Sequence, residues 1–282
     1  MNDLVLLCLI FFIFVRIIGL GVSIDFFYDT KDTKFIYFTL GWIFWIIAAF
    51  FPILASINEN NYLSEAFLVL NALFAALGGI FCMWGLFKYF LSIQSRLIIS
   101  IIIISIVMPI FLYFTMSFKI SIQFSSLVLN LTIASTYVII PLKRKNFKKD
   151  IGKSIRWFYA TILLFFILIP ISIIISLSDE SYGLYDSVNQ LLIMLNYVPT
   201  ISSTLLLIIL LVHLEYNISS RQKFELKDNF SHSLGNIIQA IQSSSGLINL
   251  SASLNTQEAS NLELIRKKCK EASKLIKEIR KL

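Results

Sequence analysis

At 282 residues, 57% hydrophobic and only 15% charged, with a mean hydropathy of +0.80, the chain carries more apolar surface than a soluble core can bury. That excludes a soluble globular enzyme and leaves a multi-pass membrane protein. The net charge of +7 lies in loops beside apolar runs and in the final sixty or so residues, a placement that suits anionic lipid headgroups and not nucleic acid.

In chain order, seven apolar runs reach the roughly 20 helical residues needed to cross a hydrocarbon core. They are Leu4 to Ile24, Phe35 to Ala55, Ala66 to Phe87, Leu97 to Met116, Ile122 to Ile140, Trp157 to Leu177 and Leu191 to Val212. Backbone groups in lipid must be satisfied within their own segment, so each run is predicted to be a helix. The first run follows Met1-Asn2-Asp3, an acid where a secretory signal carries positive charge, so it is read as a retained span.

Alternate loops differ in charge. Lys31, Lys34, Lys88, Arg96 and the cluster from Lys143 to Arg156 place eleven basic residues on one side, against Lys119 alone on the other. The positive-inside rule then predicts a plasma-membrane protein with its N-terminus outside and its C-terminus cytoplasmic. The outer connection Asp179 to Gln190 is acidic.

Polar residues within the spans are sparse: Arg16, Asn71, Asn130 and Asn196, with Pro109, Pro170 and Pro199 as possible kinks. Arg16 has no evident intramembrane carboxylate partner and is expected to face the bundle interior or reach towards a headgroup region. The asparagines are read as helix-to-helix hydrogen bonds, with a ligand site as the alternative. The paired ionisable groups expected of a transporter are missing. The seventh run has no lysine, which excludes a retinal Schiff base, and Leu86-Phe87-Lys88-Tyr89 lacks the acidic-Arg-aromatic triplet of a G-protein-coupled receptor. The outer loops are too short for a separate sensor domain, so any stimulus is expected to act on the membrane bundle itself. Cys8, Cys82 and Cys269 show no metal or disulfide spacing, and His213 marks the end of the last span.

Beyond Val212 the composition changes, with 11 basic and 6 acidic residues from Arg221 to Leu282. Nothing between Pro199 and Gly235 breaks a helix, so the last span is expected to run on through Glu215, Ile218 and Gln222 towards His232. Phe230, Leu234, Ile237, Ile241, Ser244 and Ile248 form a heptad seam that leaves His232 on the outer face beside Gly235, Asn236 and Gln239. Extended backwards, the seam takes up Lys223 and Lys227 and loses Phe224 and Leu226, a register break where rotation or bending is expected to be easy. A loop around Leu250 to Leu254 is predicted next. Asn255 and Glu258 look like a capping box, opening a second helix with the seam Leu262, Ile265, Cys269, Ala272, Ile276 and Ile279. Two such hairpins make a four-helix bundle.

The stretch Phe230-Ser231-His232-Ser233-Leu234-Gly235-Asn236-Ile237-Ile238 resembles the H-box of sensor histidine kinases, and the hairpin around it resembles that family's dimerisation and histidine-phosphotransfer domain. The resemblance covers about the last sixty residues. It implies that His232 is the phosphoacceptor and that a response-regulator aspartate receives the phosphoryl group. It also implies that Asn236 matches a position used to place water for dephosphorylation. Two positions depart from the pattern: Ser233 stands where many members carry an acidic base, and Ile237 where a proline is frequent. A hydroxyl cannot accept a proton at neutral pH as a carboxylate does. The family's ATP-binding domain has no counterpart in these residues, so ATP and magnesium are expected only on a separate or missing catalytic domain, and this chain alone is not expected to phosphorylate itself.

The expected architecture is therefore all-α. A seven-transmembrane helix bundle (residues 1–213) leads through a helical signalling linker (214–229) to a cytoplasmic two-helix hairpin (230–282) that dimerises into a four-helix bundle. The expected partners are a second copy of the chain, a response regulator, a separate histidine-kinase ATP-binding domain and membrane lipid. The alternative is a non-enzymatic seven-helix receptor or scaffold whose hairpin dimerises or binds a partner.

Overall fold

The computed structural model describes residues 3–58, 60–91, 95–143, 147, 151–177, 190–251 and 256–281, and among these it is helical with no strand. The helices are α1 (Asp3–Thr30), α2 (Lys34–Ile57), α3 (Asn61–Phe90), α4 (Ser95–Thr115), α5 (Phe118–Lys143), α6 (Ile155–Leu177), α7 (Gln190–Ser251) and α8 (Thr256–Lys281), with a short 3-10 turn at Gly152–Ser154. Six helices among the described residues are long and apolar enough to cross a membrane: α1, α2, α3, α4 from Ile98, α5, and α7 from Met194 to Asn217. The remaining predicted run, Trp157 to Leu177, is helical within α6 and is not one of the six; its side chains at 169 and 172–177 lie outside the described residues. The acidic connection up to residue 189, the basic residues Arg144, Lys145, Lys148 and Lys149, and the Asn255 cap also lie outside them. The chain divides into two compact units, Met1–Leu214 and Glu215–Leu282.

In the first unit α3 is buried on all sides from Ala76 to Ile80 and from Cys82 to Leu86, whereas α1 presents one inward strip and leaves apolar side chains on its other faces. On α1 the buried residues include Val5, Leu9, Phe12, Arg16, Gly19 and Ser23, spaced 4, 3, 4, 3, 4 as a heptad seam requires. Phe11, Phe14 and Ile17 point outward, each more than half exposed. A soluble helix would carry polar residues there, and apolar ones suit contact with lipid.

Helices gain little hydrophobic free energy by leaving lipid for one another, so close packing and hydrogen bonding must hold them together. The α2 aromatics supply both. The Trp42 ring covers Gly19 of α1, where an added Cβ would lie 2.6 Å from ring carbon Cε2, and the Trp45 ring covers Gly78 of α3, where a Cβ would lie 2.7 Å from Cγ. Trp42 Nε1 donates to Ser23 Oγ at 3.0 Å, which in turn donates to the Gly19 carbonyl at 2.9 Å, and Trp45 Nε1 donates to the Ala75 carbonyl at 2.8 Å. The two rings meet edge to face with centroids 5.3 Å apart. Glycine at the two receiving positions lets a ring lie against a helix backbone, and both indole N–H groups still find acceptors.

The connections from α1 to α2 and from α2 to α3 are short and hydrogen-bonded. Lys31 adopts a left-handed φ of 56° at the end of α1. Asp32 accepts from the Lys34 backbone N–H at 3.0 Å and pairs with Lys34 Nζ at 3.1 Å, while Lys34 lies over the Tyr89 ring. Asn60 caps α3 by accepting from Tyr62 N–H at 3.1 Å.

Replacing Gly78 with valine is expected to lower the thermal unfolding midpoint of the detergent-solubilised protein, because the branched side chain occupies the space of the Trp45 ring, an overpacking cost of about 1–3 kcal/mol. Gly21→Ala is the control, since a Cβ there meets nothing within 4 Å; equal midpoints for the two variants would contradict the packing argument.

Candidate functional site

In the second unit, α7 places His232 and its neighbours. The helix is unbroken from Gln190 to Ser251, passing through the predicted register break at 223–226, whose side chains lie outside the described residues, and past the expected start of a loop at Leu250. His232, Ser233 and Asn236 are all exposed. His232 and Asn236 are one turn apart and share a face, and Ser233 lies about 100° round the helix. Gly235 is open, with nothing within 4 Å of an added Cβ.

Asp228, one turn before His232, completes this face. Its Oδ1 lies 3.7 Å from His232 Nε2, and the two side chains are about half to two-thirds exposed. A carboxylate beside one ring nitrogen can hold a proton there and leave the other nitrogen's lone pair free, which is how an imidazole becomes a nucleophile. Ser233 cannot do this, and the nearby acid precedes the histidine instead of following it. The signal was the i, i+4 spacing of Asp228 and His232.

The hairpin packs one step round from the predicted seam. Ile238 is buried against Cys269 and Ile276, with Leu234 and Ala272 alongside, and Ser231 is also buried. Phe230, Ile237 and Ile241 of the predicted seam are 61%, 55% and 44% exposed, and Ser244 is exposed as well. Two helices of one chain bury only one strip on each, so the rest of the apolar surface stays outside. On α8, Leu262, Cys269 and Ile276 follow the predicted seam, while Ile265 is 43% exposed. Lys268 donates to Glu271 at 2.8 Å on the outer face, and this hydrogen bond with the lysine's charge holds the Glu271 carboxyl below its usual range.

The first unit contains a cavity of about 250 Å³ among α1, α2, α3, α5, α6 and α7. Its wall includes all four polar residues singled out within the spans, Arg16, Asn71, Asn130 and Asn196, together with Thr200 and Thr204 of α7. Arg16 therefore faces the interior, being only 6% exposed, and does not reach towards headgroups. It lies 13 residues along α1, or about 20 Å at 1.5 Å per residue, too deep for its side chain to reach either end. Its guanidinium carbon sits 3.5 Å from the Phe12 ring centroid and 5.6 Å from that of Trp45. One terminal nitrogen donates to the Trp45 carbonyl, while buried Nε has no hydrogen-bond partner among the described residues. Insertion scales put an arginine at a helix centre at about 2.5–3.5 kcal/mol.

Cys8, Cys82 and Cys269 are buried free thiols, and no group of three or more His, Cys, Asp or Glu side chains among the described residues is placed to hold a metal ion. The His213 ring stacks on Trp157 at 5.6 Å. Comparison of the chain with protein-family models, with curated proteins and with solved structures finds no match.

Substituting Gly235 with alanine is expected to raise the stability of the helix by about 0.5–1 kcal/mol, since the methyl enters open space. Chemical denaturation followed by circular dichroism checks this, and a loss of stability would mean that another surface already covers the glycine.

Proposed function

We propose that the protein is a membrane sensor of a two-component phosphorelay, of histidine-kinase type, with His232 as the phosphoacceptor. In this reading α6 also crosses the membrane and brings the spans to seven, the N-terminus lies outside and the hairpin is cytoplasmic. The observation that carries the reading is the exposed His232 face, with Asp228 one turn before and Asn236 one turn after, on a helix continuous with an apolar span.

The chemistry asked of this face is modest. A ring nitrogen of His232 attacks the γ-phosphorus of ATP held by a histidine-kinase nucleotide domain outside residues 1–282; a P–N bond forms as the P–O bond to ADP breaks. Asp228, 3.7 Å from the ring and so beyond hydrogen-bond length at rest, would close on the opposite ring nitrogen to hold its proton and take the part of the acid absent at position 233. The exposed ring can turn about its Cβ–Cγ bond and present either nitrogen. Asn236 would orient a water for a separate dephosphorylating reaction, in which the water attacks a response regulator's aspartyl phosphate and inorganic phosphate leaves. The exposed Phe230, Ile237 and Ile241 support a dimer, because a second hairpin would cover the strip that α8 leaves open. Ser233 favours a second reading, a receptor or scaffold whose hairpin dimerises or binds a partner without phosphorylation.

Labelling full-length protein in its native membranes with γ-phosphate-labelled ATP tests the two. Acid-labile, alkali-stable label is expected in wild type, absent in His232→Gln and reduced at least tenfold in Asp228→Asn. An unlabelled wild type beside demonstrably active host kinases would favour the scaffold. Label surviving in His232→Gln would move the phosphoacceptor elsewhere.

A further inference from the structure

The spans hold a buried cation beside an open cavity, and the phosphorelay reading makes no use of either. We infer that the cavity is a binding site for a small anionic amphiphile, a carboxylate on a short apolar chain, with the head on the Arg16 guanidinium.

The argument begins with charge. Arg16 is 94% buried on its 6% exposure, and a guanidinium stays protonated under all ordinary conditions. No aspartate or glutamate occurs among the described residues that line the cavity. The charge is cushioned by the Phe12 and Trp45 rings and by one carbonyl, but these are neutral groups and leave Nε without an acceptor. A guanidinium offers a planar fork of N–H donors that matches the two oxygens of a carboxylate. The missing partner is therefore an oxyanion, and the space to hold it adjoins the donor.

The rest of the wall sets the ligand's other end. Leu9, Ile133, Phe165 and Leu207 line the same cavity and give an acid's hydrocarbon a place that a bare inorganic anion would not use. A volume of about 250 Å³ falls just below the roughly 300–1,000 Å³ of ordinary ligand pockets, which points to a small acid or to the head and first carbons of a longer one. Fatty acids of the bilayer and shorter acids arriving from water share this chemistry.

This inference does not rest on the phosphorelay reading, because binding is measured directly. The experiment is equilibrium binding of radiolabelled decanoate to full-length protein in phosphatidylcholine nanodiscs, with empty nanodiscs subtracted. Saturable binding is expected, with decanol competing at least tenfold more weakly than unlabelled decanoate. Arg16→Gln is expected to weaken decanoate binding at least tenfold while keeping or raising the unfolding midpoint, whereas a purely structural arginine would lower the midpoint and leave the acid-over-alcohol preference intact. If Arg16→Gln does not fold, the wild-type preference decides alone. Competition by hexadecanoate identifies membrane fatty acids as the source, and competition by hexanoate alone identifies water-borne acids; either supports the site. Absence of saturable binding, equal competition by decanol, or full decanoate affinity in folded Arg16→Gln would overturn it.

Discussion

The membrane unit depends on two indole rings. Trp42 and Trp45 lie one turn apart on α2, and each reaches a neighbouring helix at a glycine, Gly19 on α1 and Gly78 on α3. Lipid already solvates apolar side chains, so burying a tryptophan there does not yield the transfer free energy it would in water. The gain is many dispersion contacts of roughly 0.1–0.2 kcal/mol each, with an indole hydrogen bond at each ring. Both require close backbone approach, which only a residue without a side chain permits at those positions.

The same pair joins packing to the polar interior. Trp45 covers Gly78 with its ring, donates to Ala75 through Nε1, accepts from Arg16 through its carbonyl and offers the guanidinium an aromatic face. One residue thus helps to hold α2 on α3 and to hold the Arg16 cation at the wall of the cavity. A change in what occupies the cavity would act on residues that also set helix packing. Packed interfaces tend to move between discrete arrangements, a property that the proposed sensor role would use.

Among the described residues α7 is both the last apolar span in chain order and the helix that bears His232. Its exposed face repeats at one-turn intervals through Asp228, His232 and Asn236. Position 233 carries serine where the histidine-kinase pattern has an acid. A helix supplies neighbours at three and four residues in both directions, and in the proposed reading Asp228 takes that place from the preceding turn.

Much was legible in the residues themselves. Helices in lipid must satisfy their own backbone, so length and apolarity alone located the runs that became α1 to α7, and the 4, 3, 4, 3 spacing put His232 outward. The side to which Arg16 turns was not legible in this way, because an almost wholly apolar run marks no face; the strip Val5, Leu9, Phe12, Arg16, Gly19 and Ser23 is set by packing. Other features depended on contacts between distant segments. Periodicity marks a broad apolar face, but which strip meets the partner helix is a matter of how two surfaces interlock; α7 uses Ser231, Leu234 and Ile238 and leaves Phe230, Ile237 and Ile241 outside. Arg16, Asn71, Asn130 and Asn196 stood in the sequence as four isolated polar residues on four helices. Tertiary structure alone set them around one cavity, because where the helices cross decides which of their side chains face the same space.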